Sequence, residues 1–191
     1  MDSELLAKCR RGDAEAIETL VNEHQAGVYR LCLSILDDAD DAQDATQESF
    51  VAALKALAGF RGDAAFNTWL FSIAINTCRA LLRQRQRRAR LHEQLVDPSM
   101  PDKESKQSPE RSLIEHERSQ ALWGAISRLD EKHRLTIVLR YYHDLSTQQI
   151  AEVLGINVGT VHSRLSAARS QLTGELKRAN LGFSQEQEGQ P

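Results

Sequence analysis

The segment from Ser146 to Leu165 constrains this chain more than any other stretch. Ser146-Thr147-Gln148-Gln149 has the form of a capping box: the Ser146 hydroxyl can accept from the Gln149 amide, and the Gln149 side chain can reach back. Ile150, Val153 and Leu154 give the following helix an apolar side. Gly155 can then turn tightly, and Asn157 caps a second helix with Val158, Val161 and Leu165 inward. The small Ala151 sits where two backbones must cross. The spacing Ala-x-x-x-Gly-x-x-x-x-x-Val is what a helix-turn-helix requires. The second helix offers Thr160, His162, Ser163, Arg164, Ser166 and Arg169 outward, with no acid between Asn157 and Thr173. Such a helix can enter a major groove and bond to phosphates and base edges. An ordinary helical hairpin with a solvated polar face has the same periodicity. The cap, the turn glycine, the small residue and the acid-free face together favour DNA binding.

The rest of the chain also reads as helix. Ala, Leu, Arg, Gln and Glu dominate, and these residues lose little rotamer freedom in a helix. Ser3 caps a short helix through Arg11, ended by Gly12. Asp13 caps the next, where Ile17, Leu20, Val21, His24, Val28, Leu31 and Ile35 repeat at helical spacing. An acidic run opens a third helix with a stripe of Phe50, Leu54 and Leu57, and Gly59 stops it. Residues 59–63 form a turn or loop. A long helix follows, with Phe66, Leu70, Ile73, Thr77 and Leu81 on one side, and runs out into RQRQRRAR. The stretch DPSMPDKESKQSP then holds three of the four prolines and no apolar periodicity, which marks a flexible linker. Beyond it, Leu113, Leu122, Trp123, Ile126 and Leu129 predict one helix, and Leu135, Val138, Leu139 and Tyr142 another. Residues 136–142 are rich in strand-forming types, yet their apolar positions fit a period of 3.6 better than two. The expected fold is all-α. Two small helical domains, over 1–92 and 113–178, are joined by a flexible linker over 93–112, and a disordered tail spans 179–191.

Charge is the second guide. The formal net charge is only −3, but it is unevenly placed. Asp37 to Glu48 carries only acids, whereas Arg79 to Arg90 carries only arginines among its charged residues. That distribution matters more than the sum. No apolar run is long enough to cross a bilayer, and MDSELLAKCRRGD lacks the core of a signal peptide. The expectation is a cytoplasmic protein without membrane insertion. Cys9, Cys32, Cys78 and His24 lack metal-ligand spacing. The cysteines are read as packing residues rather than zinc ligands or redox sensors. No phosphate loop, nucleophile elbow or paired-carboxylate arrangement is present. A non-enzymatic protein without a cofactor, metal site or small-molecule substrate is expected.

Three motifs then carry a resemblance. DDAQDATQESF, FRGDAAFNTWL and LGINVGTVHSRL occur in that order. The chain resembles bacterial sigma factors of the small, extracytoplasmic-function type over nearly its whole length outside linker and tail. The resemblance implies a subunit that binds core RNA polymerase and directs it to promoters. It implies docking on the clamp helices of the largest subunit by Asp40, Asp41, Asp44, Gln47 and Glu48. On the residues alone, that acidic run serves equally as a solvated, dipole-stabilised helix start. It implies −10 element recognition by Phe60, Arg61, Asp63, Asn67, Phe71, Asn76, Arg79 and Arg83. An amide such as Asn76 can read a base edge, and arginines can sit on phosphates. Trp69 is read as core. The −35 element would fall to Thr147, Thr160, His162, Ser163, Arg164, Ser166 and Arg169. Contact with the polymerase flap and inhibition by an anti-sigma factor, wedged between or around the domains, are further implications.

The sequence departs from the family's usual pattern at several positions. Position 162 is commonly Lys or Arg and is His here, while Ser166 and Ala167 replace an aromatic or His and then Arg. Weak −35 affinity in isolation follows. Asp130 and Glu131 stand where prolines are often found, and Asp130 remains a good N-cap. Two rival functions stay open. One is a stand-alone helix-turn-helix regulator that binds a palindrome as a dimer, which would leave FRGDAAFNTWL idle. The other is a sequestering adaptor without DNA activity.

Overall fold

Caps decide where the helices begin. In the computed structural model, which describes residues 3–93 and 122–178, α1 spans Ser3–Arg10 and ends on Gly12 at φ +80°. Asp13 caps α2 (Ala14–Leu36) by accepting from the Ala16 amide. Asp38 caps α3 (Ala39–Ala56) through the Asp41 amide. Carboxylates at these positions satisfy orphan amides and meet the positive end of the dipole. A single 3-10 turn, Leu57–Gly59, ends α3, and α4 runs Phe66–Glu93. The expected linker lies outside the described residues from position 94 onward, as do Leu113 and the expected tail.

The second part opens with α5 over 122–127. Asp130 caps α6 (Glu131–Ile137), accepting from the His133 amide. The strand-forming residues 136–142 stay helical, and Val138–Tyr142 widens into a π turn. Burial explains the choice: Thr136 and Leu139 are fully buried. The Thr136 hydroxyl is satisfied within the helix, by the Lys132 carbonyl at 2.6 Å. Helices α7 (Thr147–Leu154) and α8 (Val158–Arg178) complete the chain. No strand occurs among the described residues.

Helices α2, α3 and α4 pack on one another to form the first module. Its centre holds Leu20, Val28, Leu31, Leu70 and Ile75, each no more than 1% exposed. In the second module α6 and α7 pack on α8, around Leu135, Leu139, Ile150 and Val161. The two modules touch. Helix α7 lies against α4, and both α6 and the π turn lie against α2.

Cys32, on α2, and Cys78, on α4, are both fully buried, and their thiols meet between the helices. The Cys32 contact and burial push the Cys78 thiol up, which keeps it protonated. No cluster of metal-ligating side chains occurs among the described residues.

Candidate nucleic-acid interface

The helix-turn-helix forms as its local chemistry dictates. The Ser146 hydroxyl accepts from the Gln149 amide at 3.2 Å, and the Ser146 amide donates to Gln149 Oε1 at 2.8 Å. Gly155 takes the left-handed conformation at φ +64°, where a side chain would be strained. The Ile156 amide then donates to the Ala151 carbonyl at 3.0 Å. Arg140 secures the approach to α7 by donating to the Leu145 carbonyl. Val161, Leu165 and Ala168 bury one face of α8.

The polar residues of α8 fall on two flanks of that buried stripe, as the helical advance of about 100° per residue requires. His162, Ser166 and Arg169 are exposed on one flank. Thr160, Ser163 and Arg164 occupy the other, with Thr160 and Arg164 half-buried. Thr147 starts α7 and is half-buried. Arg169 has a partner that the sequence reading missed. Its Nε donates to the Tyr141 hydroxyl at 2.7 Å, and its guanidinium lies 5.7 Å from the Tyr141 ring centre. Tyr141 is 59% exposed. An exposed aromatic beside a basic helix was the available signal.

In the first module, Arg10 holds the loop before α4. It donates to the Leu57 carbonyl at 3.2 Å and the Phe60 carbonyl at 2.5 Å. Arg61 and Asp63 are exposed on either side of Gly62, which sits at φ +82°. Phe60 is buried, 4.9 Å from Trp69 and 5.7 Å from Phe66 between ring centres. Trp69 packs half-buried on the core, as read from the sequence. Phe71 is buried and faces the second module. Asn76, Arg79 and Arg83 share one face of α4 at spacings of three and four, with Asn76 and Arg83 exposed. Asn67 is exposed about half a turn away from them, nine residues before Asn76. The structure thus gathers three of the −10 candidates on a single helix face and sets Phe60, Asn67 and Phe71 apart.

On α3, Asp40, Asp44, Gln47 and Glu48 are exposed along one face. Asp41 is half-buried and ion-paired with Arg85 of α4. The acidic and the arginine-rich surfaces therefore belong to neighbouring helices of one module.

Between the modules, Glu131 accepts from Arg79 Nε at 3.0 Å. The Arg30 guanidinium lies 5.3 Å from the Tyr142 ring centre. The His143 ring is 4.6 Å from that of Phe71. Burial, with the Arg30 charge nearby, lowers His143 to about 4. Its Nε2 is buried without a hydrogen-bond partner. None of these contacts was read from the sequence.

The class these features define is a two-module, all-helical protein with a helix-turn-helix and separate acidic and basic faces. Residues 20–88 match the family described as Sigma-70 region 2, and residues 119–172 match Sigma-70, region 4. The RNA polymerase sigma-H factor of Pseudomonas aeruginosa is 37% identical over 184 residues, 92% of this chain and 94% of that protein. The ECF RNA polymerase sigma-E factor of Escherichia coli K12 is 33% identical over 185 residues, with 92% and 94% covered. Among solved structures, CnrH in complex with the cytosolic domain of CnrY matches with a TM-score of 0.67 at 26% identity. It covers 91% of this chain and 96% of that one. The sigma factor RpoE from Bartonella quintana, bound to the anti-sigma factor NepR, shares the fold at a TM-score of 0.68 and 23% identity. That match covers 84% of this chain and 96% of RpoE. The chain belongs to the RNA polymerase sigma factors of the extracytoplasmic-function type.

Proposed function

We propose that this sigma factor docks on core RNA polymerase with the acidic face of α3 and reads promoter DNA with α4 and α8. The observation that carries this reading is the separation of charge among exposed faces. Asp40, Asp44 and Glu48 line one helix, Arg83 with Asn76 lines the next, and the polar flanks of α8 up to Thr173 carry no acid. An acidic face steers encounter with a basic protein surface and fixes register. Arginines supply phosphate contacts whose strength falls with salt. Asn76 reads a base edge of the −10 element in this account, with Arg79 and Arg83 on the strand's phosphates. Thr160, Ser163 and Arg164 probe the −35 groove, while His162, Ser166 and Arg169 meet its other wall.

Phe60 is 9% exposed and Phe71 5%, so their part is to shape the loop and helix that present Asn67 and Asn76. In this reading the first module spans 1–92 and the second 113–178. Catalysis belongs to the polymerase, and the chain works where that enzyme works, in the cytoplasm. No helix among the described residues is long and apolar enough to cross a membrane. CnrH and the Bartonella RpoE are each described in complex with a second protein. An anti-sigma factor is the corresponding regulator for this chain.

The test is copurification with core polymerase. Charge reversal at Asp44 and Glu48 together should weaken binding at least about tenfold, as for close interfacial charges. Arg164→Ala should leave core binding intact and reduce transcription only from promoters that depend on a −35 element. Core binding unaffected by the double reversal would refute the α3 assignment.

A further inference from the structure

Tyr141 stands out of the surface. The π turn that carries it buries Val138 and Leu139, yet leaves Tyr141 59% exposed. Turns of this kind recur at functional sites. A ring left that open adds little to packing, and what it touches is Arg169. The Arg169 Nε donates to the Tyr141 hydroxyl at 2.7 Å, and the guanidinium lies 5.7 Å from the ring centre. The bond crosses 28 positions of sequence and ties the π turn to the middle of α8.

The kind of partner matters. Arg79, Arg85 and Arg128 are each paired with a carboxylate, from Glu131, Asp41 and Glu175. A carboxylate orients a guanidinium but also cancels its charge. The Tyr141 hydroxyl is neutral, and an aromatic face attracts a cation without neutralising it. Tyr141 therefore fixes Arg169 and leaves its charge in place. One of the five guanidinium N–H donors is spent on the hydroxyl, and Nη1 and Nη2 carry the other four.

Position says what that charge meets. Arg169 lies seven residues beyond His162 on the same exposed flank, about 10 Å along the helix axis. In a helix-turn-helix the N-terminal part of the second helix meets base edges. The major groove is about 12 Å wide, so a side chain about 10 Å further along reaches the phosphates at its edge. Arg164 and Arg169 are the only arginines or lysines between Asn157 and Thr173, so the placement of each weighs heavily on affinity.

We propose that Tyr141 is a positioning residue of the −35 interface, which holds the plane of the Arg169 guanidinium so that its Nη groups meet a DNA phosphate at the groove wall. Holding the side chain before DNA arrives reduces the entropy lost on binding. This rests on the reading of α8 as the −35 reader.

The experiment uses holoenzyme reconstituted from the full chain and core polymerase. Anisotropy reports its binding to a fluorescein-labelled promoter duplex that it transcribes, and to a shortened duplex that keeps the −10 element and ends before −35. On the long duplex Arg169→Ala should weaken binding about tenfold, as for a hydrogen bond to a charged group. It should also lower the salt slope by about one. Tyr141→Phe keeps the ring and the net charge, and should weaken binding about threefold, the net worth of one hydrogen bond. Added to Arg169→Ala, it should cost nothing more, because its effect passes through that arginine. On the short duplex all variants should match the natural chain. Full binding by Tyr141→Phe on the long duplex, an undiminished loss in the Arg169→Ala background, or an equal loss on the short duplex would each overturn the proposal. Failure of the underlying reading has its own signature: Arg164→Ala and Arg169→Ala would both bind the long duplex as the natural chain does.

Discussion

The two modules solve the same problem by different means. The first is built from helices of 23, 18 and 28 residues, α2, α3 and α4. Their stability comes from broad apolar faces, with Leu31, Leu70 and Ala74 fully buried between them. The second depends on α6 and α7, of 7 and 8 residues. Helices that short are unstable alone. They persist through explicit caps at Asp130 and Ser146 and through arginines that donate to backbone carbonyls, Arg134 to Ser127 and Arg140 to Leu145. The difference teaches that long helices hold the first module through broad buried faces, whereas the short helices of the second add polar bonds at their ends to a small core around Leu135, Leu139, Ile150 and Val161.

This contrast can be broken by experiment, since Trp69 reports on the first module and Trp123 on the second. The largest effect should come from Leu70→Ala. Deleting a fully buried leucine costs about 3–5 kcal/mol, so the denaturation midpoint followed by Trp69 should fall sharply. The Trp123 signal should move far less. Equal shifts would mean that the modules unfold as one unit and the contrast is wrong.

Acid should act next, at the contact between modules. His143 sits near 4 when packed, against an ordinary value of 6.5. The form with the modules apart binds the proton first, so the contact is complete above about pH 6.5 and is lost as pH falls toward about 4. Around His143 stand Arg30 and Gly27 from α2, Phe71 from α4 and Tyr142 from its own turn, with Asp144 following it in the chain. Arg30 opposes the imidazolium. His24 is also lowered by burial, but within the first module, so its protonation weakens that module's fold and not the contact between modules. Scattering against pH should show expansion in this window for the natural chain, and a His143→Phe variant should lack most of it. An unaltered profile in that variant would remove His143 from the account.

The smallest effect should be that of Ser146→Ala. Loss of an N-cap costs about 1 kcal/mol. Here it should lower only the Trp123 transition, and Ser146→Asp should restore most of the loss. A shift confined to Trp69 would contradict the division of labour.

What the sequence disclosed follows the same line. The capping box at Ser146, the left-handed Gly155 and the caps at Asp13 and Asp130 depend on residues a few positions apart, so local chemistry was sufficient to read them. The helical fate of residues 136–142 was legible from period, although β-branched Thr136, Ile137 and Val138 argued the other way. The burial of Phe60 and Phe71 was not legible, because an aromatic residue fills a core or lines a pocket with the same composition. Nor were the contacts Arg79–Glu131, Arg30–Tyr142 and Phe71–His143. Each joins residues far apart in the chain, and no periodicity within a helix encodes its partner. The Tyr141–Arg169 bond spans 28 residues and escaped for the same reason.

The central claim is that this chain gives core polymerase a promoter choice it lacks alone. The most direct measurement is in vitro transcription by purified core enzyme over a genomic promoter library, with and without the purified chain. The account predicts defined start sites that require the chain and share elements near −10 and −35. Identical start sites in both reactions would contradict it.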